Sequence, residues 1–229
     1  MILILAAILP AAYLMLKVYQ SDRLEREPPR LLIGLVLLGM VSTALAGTAE
    51  QLGSRILSAV ADSGSTAYNA LFFFLIVAPA EEGFKYAVLR WRTWQHPEFD
   101  CQYDGVVYAV FVSLGFALWE NIGYVLMYGI QTALARALTA VPGHACFGVF
   151  MGVWYGVAKR YALYGAAERS KRARWLCVII PALLHGCYDF IASLEAEIFV
   201  LVFVLFVIGM FITALRLVRR VARRDDYSM

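Results

Sequence analysis

Long apolar segments alternate with short polar ones along the whole chain. They fall at about 2–19, 31–49, 68–90, 105–129, 137–158, 175–194 and 198–217. A helix needs roughly 20 mainly apolar residues to cross a bilayer, and each segment comes close to that length. The pattern predicts an all-α, polytopic membrane helical bundle with about seven transmembrane helices. Residues 51–66 mix polar and small residues, and we expect them to form a loop with a short interfacial helix.

The composition agrees with a membrane protein. The chain is 62% hydrophobic, whereas soluble domains are about 45–50% apolar. The spans leave no room for a separate soluble domain, so residues 1–229 are predicted to form one integral membrane domain, with a short basic tail at 218–229. The net charge of +3 does not indicate nucleic acid, because the bases cluster between the spans. The expected surroundings are a lipid bilayer.

The basic residues predict an orientation. Sixteen of the 20 Lys and Arg residues lie in the loops after the first, third and fifth spans and in the tail, while the alternate loops hold only Arg55 and Arg136. Because cytoplasmic loops are enriched in Lys and Arg, the N-terminus is predicted outside and the C-terminus in the cytoplasm. This assignment requires an odd number of spans.

Four predicted spans carry polar side chains well inside the apolar region. They are Glu81, Glu82 and Lys85 in the third span, Glu120 and Asn121 in the fourth, His144 in the fifth, and His185 and Asp189 in the sixth. An ionisable side chain there costs about 2.5–3.5 kcal/mol on insertion scales, so it faces the bundle interior or water and is a functional candidate. Each group alone is also explained by an ion pair or a hydrogen bond between helices. Four groups at similar depth favour one shared site.

Helical spacing groups some of these residues. Glu81 and Lys85 are four residues apart and share a helix face, whereas Glu82 points about 100° away. His185 and Asp189 have the same spacing, so the acid can orient or charge the imidazole.

Three of the polar groups follow a proline by two to four residues. The prolines are Pro79, Pro142 and Pro181. Proline removes a helical hydrogen bond and tends to kink the helix, which opens room for water. Proline is also common in membrane helices without such a role.

The polar groups form an ordered set of motifs. These are Glu81-Glu82-x-x-Lys85, Phe116-x-x-x-Glu120-Asn121, His144 and His185-x-x-x-Asp189. In this order they resemble the PrsW family of intramembrane proteases. Asp22 to Pro28 and Asp104 to Tyr108 are similar to two non-catalytic stretches of that family, and the resemblance covers residues 19–190. Arg26 departs from it, because the family often has proline there, and this bears on the shape of the loop.

The resemblance implies proteolysis within the bacterial cytoplasmic membrane. The substrate it implies is a single-pass membrane protein, an anti-sigma factor in Gram-positive bacteria, cleaved in a first step. The wider relatives include the CAAX prenyl endopeptidases, whose paired-glutamate motif is similar. They imply a glutamate that activates water, with or without a metal.

Peptide hydrolysis needs an activated water, a proton for the leaving amine and a group that stabilises the oxyanion. We expect Glu81 to be the general base, supported by Lys85, with Glu82 as its partner or as the base itself. Glu120, His144 and His185 match the ligands of a catalytic Zn²⁺ ion with an open fourth position. Asp189 would then orient His185.

A metal-free site is chemically sound as well. In it, Glu81 and His144 activate the water, while His185 and Asn121 hold the oxyanion. Two further classes of protein share some of these features. A proton-coupled transporter or channel also carries buried acids and histidines, although it more often shows inverted repeats, which we do not find. A non-catalytic assembly subunit or lipid-binding scaffold would not need paired glutamates with two histidines.

The depth of the polar groups predicts the side from which the site is reached. At 1.5 Å per residue, His144 lies roughly 10 Å from the outer end of its span, and Glu120 lies roughly 22 Å from the cytoplasmic end of its own. Glu81 lies slightly deeper. Water and substrate are therefore expected to enter from the extracytoplasmic side, past the loop around Gly129.

Overall fold

The computed structural model describes residues 2–22, 24 and 26–225, and every regular element in that part of the chain is helical. The α-helices are α1 Ile2–Gln20, α2 Pro29–Ser58, α3 Thr66–Leu71, α4 Ala78–Thr93, α5 Gln102–Tyr128, α6 Ile130–Leu138, α7 Ala140–Leu163, α8 Ala167–Ala192 and α9 Glu197–Arg224. A π-helical segment, Phe72–Val77, joins α3 to α4. The all-α prediction is confirmed. Helix α9 includes most of the predicted basic tail, whose residues 226–229 lie outside the described residues, as do Arg23 and Glu25 of the first polar loop.

Five segments of the described chain are helical, long and apolar enough to cross a membrane. They are Pro29–Ser58, Gln102–Tyr128, Ile130–Leu163, Ala167–Ala192 and Glu197–Arg224. Helix α1 is apolar but shorter, and residues 66–93 are divided between α3, the π-helical segment and α4. The structure therefore supports a membrane protein with several spans, while the number seven stays a prediction.

Helix α2 is longer than the sequence predicted. It continues to Ser58, through much of the segment expected to be a loop. A Cβ atom at Gly53 would lie 2.5 Å from the side chain of Ile76, so the two helices approach closely at this point. The Ser58 hydroxyl also lies 3.0 Å from the hydroxyl of Tyr68. These contacts between helices stabilise the last turns of α2, and they come from parts of the chain that local sequence does not connect.

Helix α5 lies at the centre of the bundle, and its residues from Tyr103 to Ala117 are all buried. It packs against α2 on one side and α7 on another. A Cβ atom at Gly152 of α7 would lie 2.5 Å from the carbonyl oxygen of Gly105, so glycine allows the two backbones to meet. Because α5 and α7 run antiparallel, the end of α5 lies beside the start of α7.

The prolines lie at different places in their helices. Pro79 is in the first turn of α4, directly after the π-helical segment, and Pro142 is in the first turn of α7. Pro142 follows a break at Thr139 and costs no hydrogen bond within its helix, because first-turn N–H groups have no helical partner. Pro79 follows helical residues without a break, and Pro181 lies in the interior of α8.

Candidate active site

The paired glutamates and the lysine of α4 form a buried ionic group. The ammonium nitrogen Nζ of Lys85 donates to Oε2 of Glu81 at 3.1 Å and to Oε1 of Glu82 at 2.8 Å. Nζ of Lys85 also lies 4.0 Å from the centre of the Phe116 ring. This contact gives Phe116, the first residue of the second motif, a role in the site. The spacing predicted the contact with Glu81. Glu82 joins the same lysine because a side chain three residues away also reaches it.

His144 connects this group to α5. Its Nε2 atom lies 3.0 Å from Oε2 of Glu120, and its Nδ1 atom lies 3.1 Å from Nζ of Lys85. An ammonium group only donates hydrogen bonds, so Nδ1 must accept one. In a neutral ring the proton is then on Nε2, which donates to the Glu120 carboxylate. The contacts therefore define one orientation and one tautomer for His144.

His185 connects the same group to α8. Its Nδ1 atom lies 3.0 Å from Oε1 of Glu82 and 3.8 Å from Oε2 of Glu81, while its Nε2 atom lies 3.3 Å from Oδ2 of Asp189. The spacing of four residues predicted the contact with Asp189. The ring of Phe147 stacks on His185 with 4.6 Å between ring centres. Acids on both edges and an aromatic ring on one face hold His185 in place.

The predicted residues meet at a cavity of about 230 Å³. Its wall includes Glu81, Glu120, His144, His185 and Asp189. These side chains come from α4, α5, α7 and α8, the helices that correspond to the four predicted spans. The structure thus brings the separate motifs to one place.

Three predicted residues lie behind this wall. Glu82 and Lys85 are completely buried and contact the cavity residues from the protein side. Asn121 is also buried; its amide nitrogen donates to the carbonyl oxygen of Ala7 at 2.9 Å, and its Oδ1 accepts from Nε of Arg136 at 3.0 Å. Asn121 therefore links α5 to α1 and α6.

Two charged residues of the wall were not identified from the sequence. Glu50 belongs to α2, beyond the predicted end of its span, and Arg136 belongs to α6, where it counted only as a loop base. A signal existed for Glu50, because Ser42, Ala46 and Glu50 follow one another at four-residue intervals and the first two are buried. For Arg136 the signal is its place in the short connection between the fourth and fifth predicted spans. A short connection keeps its residues beside the end of α5.

The site has ligands that suit a metal ion. Among the described residues, Glu81, His144 and His185 each offer one ligand atom, and these atoms lie within 4.8 Å of one another. One carboxylate and two imidazoles are a donor set that zinc favours. Oε2 of the neighbouring Glu82 is buried and has no hydrogen-bond partner in the described part of the chain. The donors therefore suit a zinc ion in type and separation, with Glu81 in the place predicted for Glu120. Each ring nitrogen already contacts a side chain, so an ion would replace one of these contacts on each imidazole.

Acids and imidazoles around a cavity enclosed by apolar helices are the groups that a membrane-embedded hydrolytic enzyme requires. The family model described as PrsW family intramembrane metalloprotease matches residues 27–215. The chain belongs to this family and is an intramembrane protease. This confirms the predicted family and enzyme class, and it supports a protease over a transporter or a scaffold.

The relatives match over most of their length. The chain is 36% identical over 217 residues to "Protease PrsW" of Oceanobacillus iheyensis, covering 94% of each protein. It is 36% identical over 189 residues to "Protease PrsW" of Geobacillus kaustophilus, covering 82% of this chain and 79% of that one. It is 34% identical over 194 residues to the Bacillus subtilis protein of the same name, covering 83% of each. No solved structure shows a significant match.

Proposed function

We propose that this protease hydrolyses a peptide bond of a single-pass membrane protein with a water molecule activated by Glu81. One observation carries the proposal: the Glu81 carboxylate lies in the cavity wall, within 4.8 Å of ligand atoms of both His144 and His185. A carboxylate that can accept a proton and two imidazoles thus surround the same small space. This is the arrangement that activation of water requires.

The two adjacent glutamates have different roles in this proposal. Glu81 reaches the cavity and Glu82 does not. Glu82 instead contacts Lys85 at 2.8 Å and His185 at 3.0 Å, so it holds the cation and the imidazole in position. Lys85 balances the negative charge of both glutamates. We therefore assign the base to Glu81 and a positioning role to Glu82.

The outer acids orient the imidazoles. Glu120 accepts the hydrogen bond from Nε2 of His144, and Asp189 lies 3.3 Å from Nε2 of His185. Such carboxylate partners fix the orientation and tautomer of a histidine. Both acids also line the cavity, so Glu120 is a second carboxylate that can take up a proton there.

A metal ion, most simply Zn²⁺, would be held by His144, His185 and one carboxylate oxygen of Glu81. The other oxygen of Glu81 would remain to accept the proton from water. When bound, it would polarise the substrate carbonyl and make the attacking water more acidic. The family's description as a metalloprotease supports this part of the proposal. Glu120 would contribute through its hydrogen bond to His144 and not as a ligand.

The substrate and the orientation follow from the resemblance and the charge distribution. We propose a bacterial cytoplasmic membrane, an N-terminus outside, a C-terminus in the cytoplasm and a single-pass substrate such as an anti-sigma factor. The split of basic residues between alternate loops supports the orientation.

A comparison of two isosteric variants in cells tests the proposal. Glu81→Gln should abolish the cleavage product of a membrane substrate while the amount of protease in the membrane stays the same. The matched control is Glu168→Gln, because Glu168 is exposed in the first turn of α8, at the opposite end of this helix from Asp189. It should cleave like the wild type. Cleavage by Glu81→Gln at the wild-type rate would overturn the assignment.

A further inference from the structure

We propose that Arg136 is a further catalytic residue, whose guanidinium group binds the carbonyl oxygen of the scissile peptide bond. This inference rests on the proposed proteolytic function and adds a group to the same site. In the metal-free site predicted from the sequence, Asn121 and His185 hold the oxyanion. Arg136 would add a cationic partner for it.

The charge of the cavity wall supports this role for Arg136. Peptide hydrolysis places a negative charge on the carbonyl oxygen, and donors aimed at that charge supply a large part of the rate enhancement. The wall contains four acids, Glu50, Glu81, Glu120 and Asp189. Within the described chain, Arg136 is the only lysine or arginine in this wall. Arg136 is therefore the side chain of this wall that would bring a permanent positive charge to an oxyanion beside these carboxylates.

The other nearby cation is already occupied. Nζ of Lys85 contacts Glu81, Glu82 and His144, which matches the three hydrogen bonds that an ammonium group can donate. Its side chain has no exposed surface. Lys85 could bind a substrate oxygen only by giving up one of these partners, whereas Arg136 already lines the cavity.

Arg136 is held in place before substrate arrives. Its Nε atom donates to Oδ1 of Asn121 at 3.0 Å, and its guanidinium group lies over the ring of Tyr124, 4.1 Å from the centre. Its Nη2 atom lies 3.0 Å from Oε2 of Glu120. Nη2 is shielded from solvent and has no partner besides Glu120 among the described residues. A guanidinium group carries five N–H bonds, and the contacts with Asn121 and Glu120 do not use all of them, so donors remain for a substrate oxygen.

The role requires no proton transfer by Arg136. Water forms a bond to the carbonyl carbon and loses a proton to Glu81, while the C=O electron pair moves onto oxygen. Arg136 donates hydrogen bonds to this oxyanion. The C=O bond then re-forms, the C–N bond breaks, and the leaving amine takes up the proton. The guanidinium group is unchanged at the end of the cycle.

Chemical rescue of a truncated arginine tests the inference. The purified protein would be placed in lipid vesicles with a substrate that the wild type cleaves. Arg136→Ala should lower kcat by about 10²–10³-fold, as loss of an oxyanion donor does, with little change in KM. Added methylguanidinium should restore part of kcat, and methylammonium at the same concentration should not. Arg136→Lys, which keeps the charge but not the planar fork, should also lose most of kcat.

The controls separate this role from a purely structural ion pair with Glu120. Arg55→Ala removes an exposed arginine and should behave like the wild type. If Arg136 served only to neutralise Glu120, the double variant Glu120→Gln/Arg136→Ala would regain activity without guanidinium, and that result would overturn the inference. So would wild-type kcat in Arg136→Ala, or rescue by methylammonium equal to that by methylguanidinium. Should Arg136→Ala not fold, the kcat of Arg136→Lys decides.

The proposed function fails in a different way. If Glu81→Gln cleaves as fast as the wild type, the assignment of the base is wrong whatever Arg136 does. If Glu81→Gln is inactive and Arg136→Ala is fully active, only the role of Arg136 is wrong.

Discussion

Nζ of Lys85 lies 2.8 Å from Oε1 of Glu82, and neither side chain has any exposed surface. A buried charge is tolerated only when it is paired, and removing one partner typically costs about 3–5 kcal/mol. Loss of either partner would therefore destabilise the fold as well as the site, because the same lysine also contacts Glu81 and His144.

Removal of the lysine should destabilise the protein strongly. Lys85→Met leaves two adjacent carboxylates buried without their cation, and we expect a loss of about 3–5 kcal/mol in the free energy of unfolding. Thermal unfolding in detergent measures the effect. Glu82→Gln in the same chain should recover part of the loss, and Lys171→Met, at an exposed lysine, should have none. Equal stability of Lys85→Met and the wild type would contradict the paired role.

Metal content should depend on three residues. Alanine at Glu81, His144 or His185 removes one of the proposed ligands, and bound zinc in purified protein should fall well below one ion per chain. Alanine at Glu120 should retain zinc with affinity lower by about 10–100-fold, as expected for a group that only orients a ligand. Elemental analysis and anomalous scattering measure both. Full activity in protein stripped of metal, or complete loss of zinc from the Glu120 variant alone, would contradict this ligand set.

The cavity should be reached from outside. Ala140 lies in the cavity wall at the start of α7, so Ala140→Cys in a background without the four native cysteines should react with a membrane-impermeant maleimide added outside the cell. Ala167→Cys, on the connection predicted to be cytoplasmic, should react only after the membrane is opened. Labelling of position 140 from the cytoplasmic face alone would refute the predicted access.

Stability should fall with rising pH because of Glu27, which lies between α1 and α2 outside the spans. Burial raises the pKa of Glu27 to about 7 from 4.5, although the hydrogen bond that the Tyr108 hydroxyl donates to it acts in the opposite direction. Between these two values the folded state retains a proton that the unfolded chain has released. The contribution of Glu27 to the free energy of unfolding therefore decreases from pH 4.5 to 7 and is constant above.

Thermal unfolding over that pH range checks the effect of Glu27. Glu27→Gln keeps an oxygen for Tyr108 and should flatten the pH dependence, while Glu168→Gln, at an exposed glutamate, should leave it as in the wild type. An identical pH dependence in Glu27→Gln and the wild type would show that Glu27 is not the group that titrates.

The helical fold follows from the sequence because hydrophobic length is a local property. The helix starts are less well predicted. Helix α5 begins at Gln102 and α8 at Ala167, before the predicted 105 and 175, because polar first turns extend these helices beyond their apolar part. The end of α2 was wrong for another reason. Gly53 and Ser58 suggest a loop by themselves, whereas their contacts with Ile76 and Tyr68, which local sequence does not show, favour the helix.

The sequence predicts those residues of the site that lie inside apolar segments, where burial of a charge costs the most. Glu81, Glu120, His144 and His185 stand out in apolar segments, and the structure brings them to one cavity. Glu50 and Arg136 fall near segment ends, where a charge costs little, so the cost of burial alone does not single them out. Which acid reaches the cavity was also beyond the sequence, because it depends on the rotation of α4 after the π-helical segment.

Hydrolysis of a defined substrate in lipid vesicles made in H₂¹⁸O tests the central claim most directly. The wild type should release a fragment whose new C-terminal carboxyl carries one ¹⁸O atom, as mass spectrometry would show. Glu81→Gln should release none, with its thermal stability close to that of the wild type. Glu82→Gln should be less stable and still release some fragment. An active Glu81→Gln beside an inactive but well-folded Glu82→Gln would contradict the assignment of Glu81 as the residue that activates water.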